Sequence, residues 1–302
     1  MSDAQLTALV LLPVTLIGSV VNWSIVYSIT RLKSFHHSFG YLTGNQAVAD
    51  ALHSTTFLLY YTPMVLLDSS FLKKYSHHCG FMVLFCYEMS VHTHFVISLN
   101  RLIAAFSPLY YRAWFQITFT KIMIAMVWCI TRTSTVLFYE VLCNLFYSVS
   151  TGFLFFTDTP FCENLGWYAD FVKNSSVLVI IVIMDIATVI RVRIAGRKVN
   201  ASLTSETQTR NHTKEINFLK QAVFQGFIFL FITTTYFTFP MFLTGKWVVF
   251  FSTSFAWVSV HVVDGFVTII CNPDIRSYMF SLGRGHRDGS TVTTSRVQKS
   301  DI

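Results

Sequence analysis

Residues 6–29 read LTALVLLPVTLIGSVVNWSIVYSI, a stretch without a charged side chain. A bilayer core is about 30 Å thick, and a helix that rises about 1.5 Å per residue needs roughly 20 residues to cross it. The stretch is therefore long enough and apolar enough to span a membrane. No Lys or Arg precedes it, and Pro13 interrupts its long apolar run. The sequence thus predicts a retained membrane helix and not a cleaved signal peptide.

Six further segments of the chain have the same apolar character. Of the 302 residues, 53% are hydrophobic and only 12% are charged, whereas a soluble domain carries about a quarter charged residues. A soluble protein of this size cannot bury so much apolar surface, so we expect lipid to cover it. The sequence predicts an all-α membrane protein, a bundle of seven transmembrane helices. The predicted spans are residues 6–29, 41–67, 80–105, 122–142, 172–190, 218–243 and 248–271.

The distribution of Lys and Arg predicts how the bundle is oriented. With the amino terminus outside, the inner segments hold 17 of these residues and the outer segments hold 4. Basic residues concentrate in cytoplasmic loops, so we expect the amino terminus outside and the carboxy terminus inside. The basic residues of the inner segments account for the net charge of +7. The charge therefore does not indicate binding to nucleic acid, and we expect no nucleic-acid partner. Residues 1–282 are predicted to form one membrane domain, and the polar residues 283–302 a disordered cytoplasmic tail.

Several polar side chains lie within the predicted spans. Ionisable groups are costly in a bilayer, so each needs a partner, a cavity or a role. Asp50 is near the middle of the second span, and Asn22 and Asn272 reach it if their helices are neighbours. Together with Pro273 they would form a polar hinge, and the alternative is static hydrogen bonding worth about 0.6–2 kcal/mol per contact. Four other residues allow two interpretations. In one they line a ligand cavity, and in the other they are buried groups that are hydrogen bonded within the protein: Glu88, His92, His261 and Asp264.

The chain contains no sequence motif of a catalytic or cofactor site. There is no GxSxG, P-loop, HExxH or dinucleotide fingerprint, so we expect neither an enzyme nor a cofactor. His92 and His94 are two residues apart on a helix and point in different directions. The adjacent pairs His36–His37 and His77–His78 offer no chelate either, and we expect no metal. Three cysteines lie near span ends, where a disulfide can form, and their pairing is not determined by their positions: Cys79, Cys143 and Cys162.

Anchor residues occur in a familiar order along nearly the whole chain. They resemble those of rhodopsin-like G-protein-coupled receptors: Asn22, Asn45, Asp50, Arg101, Trp128, Pro240, Asn272 and Pro273. Within that superfamily the chain most resembles the nematode chemosensory receptors called serpentine receptor class x. The segments that carry this resemblance are GYLTGNQA (40–47), ADALHS (49–54), LNRLIA (99–104), PLY (108–110) and WVSVHVVDG (257–265).

The resemblance implies a seven-helix receptor that binds a small extracellular ligand and activates a heterotrimeric G protein. It places the chain in the plasma or ciliary membrane of a sensory cell, in contact with membrane lipid. Asn100, Arg101, Pro108 and Tyr110 match the coupling region. Asn100 stands where the superfamily has an acidic residue, so Arg101 lacks that adjacent ion-pair partner. In the simpler alternative, Arg101 only extends to the interface and marks topology.

The resemblance also implies a disulfide bond. Receptors of this superfamily join the outer start of the third span to a cysteine in the second outer loop. Cys79 occupies the first position, and both Cys143 and Cys162 are candidates for the second. We expect Cys162, because it lies deeper in the loop.

A transporter is the alternative function. A secondary transporter or proton-coupled carrier would use Asp50, Glu88, Asp185 and Asp264 as a relay. Such folds show broken helices and internal repeats, and the sequence has neither. A receptor cavity lined by Phe, Tyr and Met would suit a small, largely apolar molecule.

Overall fold

The computed structural model describes residues 2–149, 152–200, 206–243 and 245–284. All of the predicted tail except residues 283 and 284 lies outside these ranges. Those two residues belong to a helix, Pro273–Arg284, so the helical part extends slightly beyond the predicted domain boundary.

Seven long helical segments follow one another, at the places where the sequence predicts spans. The first is Asp3–Arg31, and the third is Ser76–Phe106. The second consists of Ser38–Thr56, Phe57–Tyr61 and Thr62–Leu66. The fourth consists of Ile117–Val136 and Leu137–Leu142, and the fifth of Gly166–Val172 and Lys173–Asn200. The sixth is Glu206–Phe242, and the seventh consists of Lys246–Phe250, Phe251–Phe255 and Ala256–Cys271.

Short elements connect these spans. The connecting helices are Lys33–Phe35, Ser70–Lys74, Pro108–Trp114 and Pro160–Leu165, and Pro273–Arg284 follows the seventh span. Between the fourth and fifth spans, strands β1 (Leu145–Ser148) and β2 (Phe153–Phe156) form an antiparallel hairpin, with Leu145 opposite Phe156.

The surface of the bundle is that of a membrane protein. Five helical stretches are long and apolar enough to cross a bilayer: Asp3–Arg31, Ser76–Phe106, Ile117–Leu142, Ala222–Phe242 and Lys246–Cys271. Large apolar side chains are exposed on all seven spans, among them Val20, Leu59, Met82, Ile130, Ile183, Phe231 and Ile270. Exposed apolar surface on this scale requires a hydrocarbon environment. The predicted seven-helix membrane fold is confirmed.

The third span is the central helix of the bundle. It packs against the second, fourth and fifth spans and against β1, while the first and seventh spans pack against each other and against the second. We call the end that holds residue 2 and the hairpin the amino-terminal face, and the opposite end the carboxy-terminal face. The third span runs from one face to the other, and its contacts with the other spans make it the element that links the two faces.

Four spans contain a π-helical turn in their half nearer the amino-terminal face. These turns are Phe57–Tyr61, Leu137–Leu142, Gly166–Val172 and Phe251–Phe255. A π-helical turn adds a residue to the helical repeat and is frequent at functional sites, because it redirects the side chains that follow. This half of the bundle is therefore the more irregular one.

The hairpin is anchored over the amino-terminal face without a covalent link to the third span. Ser76 Oγ accepts a hydrogen bond from the Tyr147 backbone N–H at 3.0 Å. A Cβ added to Gly80 would overlap the Leu145 carbonyl, so glycine permits the close approach of the hairpin to the helix. Leu145 and Phe153 are buried in the main apolar core.

The disulfide prediction is wrong in one of its two residues. Cys162 is bonded to Cys143, with 5.7 Å between the Cα atoms, and Cys79 is a buried free thiol. The reason lies in the hairpin, whose pairing continues beyond the strands as the Thr157 N–H donates to the Asn144 carbonyl at 2.9 Å. The two chain ends of the hairpin are thus brought together, and the cysteines beside them meet within the loop.

Candidate functional site

A small cavity lies below the hairpin, between the third, fifth, sixth and seventh spans. Its volume is about 20 Å³, room for about one water molecule. The walls are mainly aromatic, and one carboxylate faces in. Its lining includes Tyr87, Asp170, Phe229, Thr233, Tyr236 and Trp257. None of the four residues predicted for a ligand pocket is part of this lining, so sequence reasoning missed the residues that form it.

Glu88 instead lies in a buried ion pair beside the cavity. Its side chain is fully buried, and Lys173 Nζ lies 2.7 Å from both of its oxygens. Asn174 donates to Glu88 Oε1 at 2.9 Å. His92 is 3.9 Å from Glu88 and hydrogen bonds to Thr131 at 3.0 Å. These contacts join the third span to the fourth and fifth, so Glu88 and His92 have structural partners within the protein.

Asp50 is the centre of a polar cluster in the middle of the bundle. His261 Nδ1 lies 2.7 Å from its Oδ1. Ser90 donates to the same oxygen at 3.2 Å, and Gln46 donates to both carboxylate oxygens at 3.3 Å. The cluster thus joins the second, third and seventh spans through hydrogen bonds that satisfy a carboxylate with 1% exposure. Asp50 and His261, which the sequence assigned to separate sites, belong together.

A second carboxylate lies next to this cluster. Asp264 Oδ1 is 3.6 Å from His94 Nε2, and Asn22 Nδ2 donates to the His261 carbonyl at 3.1 Å. Gly265 packs against the Asn22 side chain, because a Cβ there would lie 2.5 Å from Asn22 Oδ1. The first span therefore meets the seventh at residues 261–265.

Asn272 and Pro273 lie away from the cluster around Asp50. Asn272 comes 11 residues after His261, which places it about 16 Å farther along the helix axis. It ends the seventh span, where its Nδ2 donates to the Thr268 carbonyl at 2.7 Å, and Pro273 begins the next helix. Asn22 and Asp50 therefore lie with His261 and Asp264 and not, as predicted, with Asn272 and Pro273, and the role of this group as a hinge stays a prediction.

Trp128 and Asn45 tie the second, third and fourth spans together. Trp128 Nε1 donates to Asn45 Oδ1 at 2.8 Å, and Asn45 Nδ2 donates to Thr93 Oγ1 at 2.8 Å. The oxygen and the nitrogen of the Asn45 side-chain amide are thus both hydrogen bonded, and Asn45 and Trp128 fix the relative rotation of three helices.

A larger cavity of about 500 Å³ opens at the carboxy-terminal face. Asn100 and Arg101 line it, together with Phe39, Tyr111 and Thr188. The Arg101 guanidinium lies 5.1 Å from the centre of the Phe39 ring, a cation–π contact. Within the described ranges, no carboxylate oxygen lies within 4.0 Å of it.

The other two predicted coupling residues flank this cavity. Pro108 begins the short helix Pro108–Trp114, where its missing N–H costs nothing. Tyr110 is 68% exposed, and the adjacent Tyr111 lines the cavity instead.

Asp185 provides the negative charge that Asn100 does not. It lies on the fifth span with 2% exposure, and Ser98 donates to its Oδ1 at 2.9 Å. Like the charge of Asp264, its negative charge acts on Arg101 across more than 4.0 Å. The acidic group that the superfamily places next to the arginine in sequence is thus supplied here by a neighbouring helix.

Three residues at the amino-terminal face are arranged as metal ligands would be. The donor atoms of His77, His78 and Glu140 lie within 4.8 Å of one another. The sequence gave no reason to expect a chelate from the adjacent histidines, because the third group comes from the fourth span.

Comparison with known proteins agrees with this architecture. The profile of the family described as "Serpentine type 7TM GPCR chemoreceptor Srx" matches residues 12–272. "Serpentine receptor class X 45" of Caenorhabditis elegans is 29% identical over 292 residues, which cover 91% of this chain and 81% of that protein. "Serpentine receptor class X-43" of the same organism is 26% identical over 285 residues, which cover 92% and 88%. Squid rhodopsin superposes with a TM-score of 0.73 at 14% identity, covering 94% of this chain and 86% of that structure, and so shows the shared fold.

Proposed function

The chain belongs to the Srx family of serpentine seven-transmembrane chemoreceptors, and from this membership we propose that a small molecule bound near the amino-terminal face controls a heterotrimeric G protein at the carboxy-terminal face. The chain is a multi-pass membrane receptor of the G-protein-coupled kind and not an enzyme. We place it in the plasma or ciliary membrane of a sensory cell, with the amino terminus outside.

One helix connects the regions that such a receptor needs. Tyr87 lines the small cavity, Ser90 contacts Asp50 in the polar cluster, and Arg101 lines the large cavity. All three lie on the helix Ser76–Phe106. About 21 Å of helix axis separates Tyr87 from Arg101. A shift of the third span at its ligand end would therefore reach the G-protein end through a rigid element.

The observation that carries the proposal is the position of Arg101. It faces an open cavity of about 500 Å³ and is held by a ring contact with Phe39 and by the field of Asp185. These restraints are weaker than a direct ion pair, so an inserted helix of a G protein would meet a cation that is free to reorient. We propose that Asn100 at the cavity wall, and Pro108 and Tyr110 on the adjacent helix, contribute to the same docking surface.

Nucleotide exchange tests the coupling role. Cells expressing the receptor and a panel of G proteins are exposed to a panel of odorants, and exchange is measured with and without odorant. Arg101→Ala should lower exchange at least about tenfold, because loss of one buried charged contact costs about 2–5 kcal/mol at an interface. Arg31→Ala is the matched control, since Arg31 is an exposed arginine at the end of the first span and does not line the cavity.

Two results would contradict the proposal. One is exchange that Arg101→Ala and Arg31→Ala change equally, which would mean that Arg101 only marks topology. The other is solute uptake that depends on Asp50 in the absence of any nucleotide exchange, which would favour the carrier.

A further inference from the structure

The carboxylate of Asp170 is buried in the bundle without a cation of its own. Asp170 is 4% exposed and belongs to the π-helical turn Gly166–Val172 of the fifth span. The nearest cation, Lys173, is bound by Glu88, whose two oxygens both lie 2.7 Å from Lys173 Nζ. In the described part of the chain, no Lys, Arg or His nitrogen comes within 4.0 Å of Asp170.

The hydrogen bonds of Asp170 also use only one side of the carboxylate. Asn174 Nδ2 donates to Oδ1 at 2.8 Å and to Glu88 Oε1 at 2.9 Å, so one amide bridges the two acids. Among the described residues, Oδ2 receives no hydrogen bond. Burial of an acid at this depth costs several kcal/mol unless a cation or several donors compensate for the lost water.

The cavity that Asp170 lines has walls suited to a cation. Tyr87, Tyr236 and Trp257 form three of its walls, with Trp257 5.9 Å from Tyr87 and 5.6 Å from Tyr236 between ring centroids. The faces of such rings attract ammonium groups, most strongly where water is excluded. Little water reaches this site, since Tyr87, Asp170 and Trp257 are each less than 10% exposed.

We infer that this cavity binds the ammonium group of a small organic amine, with Asp170 as its counter-ion and Tyr87, Tyr236 and Trp257 as its aromatic walls. The inference rests on the proposed receptor function and names the class of its ligand. The volume of about 20 Å³ matches a single ammonium head group, and the alkyl chain of the amine enters only as the surrounding rings move apart. The sequence alone favoured an apolar ligand, because it did not reveal the unpaired carboxylate.

Binding is measured on the purified full chain without a G protein, so that its outcome is independent of signalling. The probe is ethylammonium chloride, compared with ethanol of similar size and with sodium chloride of equal ionic strength. Thermal unfolding is followed as a function of probe concentration, since a ligand that binds only the folded state raises the Tm. Ethylammonium should raise the Tm in a saturable way, and neither ethanol nor sodium should do so.

Variants test the two parts of the site. Asp170→Asn keeps the hydrogen bond from Asn174 and removes the charge, and it should weaken ethylammonium at least about 30-fold. Tyr236→Leu should weaken it about 2- to 30-fold through loss of a cation–π contact. Glu163→Gln is the matched control, because it removes a charge from an exposed position seven residues earlier and should leave the affinity unchanged.

Folding of the variants is checked separately. Without ligand, Asp170→Asn should unfold at the same or a higher temperature than the wild type, because an uncompensated buried charge is removed. Equal Tm shifts from ethylammonium and ethanol, or from ethylammonium and sodium, would overturn the inference. So would equal affinity of the wild type and Asp170→Asn. Amine binding without any effect of Arg101→Ala on exchange would preserve this inference and remove the proposed coupling role.

Discussion

Gly80 shows how one residue determines the position of the hairpin over the cavity. A Cβ at this position would overlap the backbone carbonyl of Leu145. A backbone atom cannot rotate away as a side chain would, so Gly80→Ala should displace β1 and destabilise the fold by about 1–3 kcal/mol. The measurement is thermal unfolding of the purified chain.

The control for this substitution is Gly44→Ala, where the nearest contact of a Cβ would be the Ile29 side chain at 3.4 Å. That distance is ordinary van der Waals contact, and alanine favours the helix, so Gly44→Ala should leave the Tm unchanged or raise it. A Gly80→Ala variant as stable as Gly44→Ala would show that the hairpin does not depend on this approach.

Two further residues change roles between sequence and structure. His261 was assigned to a ligand pocket and is in fact the partner of Asp50. Asp185 was considered as part of a relay, and it supplies the charge near Arg101 that position 100 lacks. In both cases the residue type was informative, but the partner lies on another helix.

At the scale of elements, the ion pair of Glu88 and Lys173 fastens the third span to the fifth beside the cavity. Lys173→Met should destabilise the fold by about 3–5 kcal/mol, because it leaves Glu88 buried without a cation. Glu88→Gln combined with Lys173→Met should restore much of this loss. The free energy of unfolding in detergent measures both effects.

A matched pair on the surface provides the contrast. Lys246 lies 3.4 Å from Asp3, and both side chains are largely exposed. Lys246→Met should therefore cost no more than about 1 kcal/mol. If the two lysine substitutions cost the same, the Glu88–Lys173 pair would not act as a buried fastening between these helices.

The disulfide joins two residues of the same connection that contains the hairpin, and it links this connection to no other part of the chain. Because Cys143 and Cys162 both belong to the connection between the fourth and fifth spans, the bond stiffens that connection and leaves the third span free of a covalent tether. The third span and the hairpin are instead joined by the approach at Gly80 and the hydrogen bond at Ser76. A movement of the third span against the hairpin therefore breaks no covalent bond.

At the scale of the whole molecule, the two cavities lie at opposite ends of one central helix. The cavity nearer the amino-terminal face has a volume of about 20 Å³, and the one at the carboxy-terminal face has a volume of about 500 Å³. The polar cluster of Asp50, His261 and Asp264 lies between them. Under the proposed function, these two cavities would be separate sites for ligand and G protein, with hydrogen-bonded helices in between that can exchange partners when the helices move.

The orientation of the molecule is tested by labelling in intact cells. A membrane-impermeant maleimide should label Lys74→Cys on the amino-terminal face, and should label Arg112→Cys only after permeabilisation, because the positive-inside rule predicts that the basic loops face the cytoplasm. The unsubstituted chain measures the background from its four free cysteines. Equal labelling of both positions in intact cells would place the two faces in one compartment and remove the basis of the proposed function.

The sequence by itself determined the number and places of the spans and the family resemblance. Span length and apolar content are properties of consecutive residues, so they can be read without knowing what packs where. The same holds for the order of the anchor residues Asn22, Asn45 and Trp128 along the chain, although their partners could not be read from it.

Only the tertiary structure decided which polar groups meet. Successive residues on a helix differ by about 100° in direction, so the partners of Asp50, Arg101 and Asp170 depend on how each helix is rotated and shifted against its neighbours. The cysteine pairing depended likewise on a hairpin between spans, and the depth of residues 272 and 273 on where the seventh helix crosses the first. These relations join residues far apart in the chain, and the sequence records each residue without recording its distance from the others.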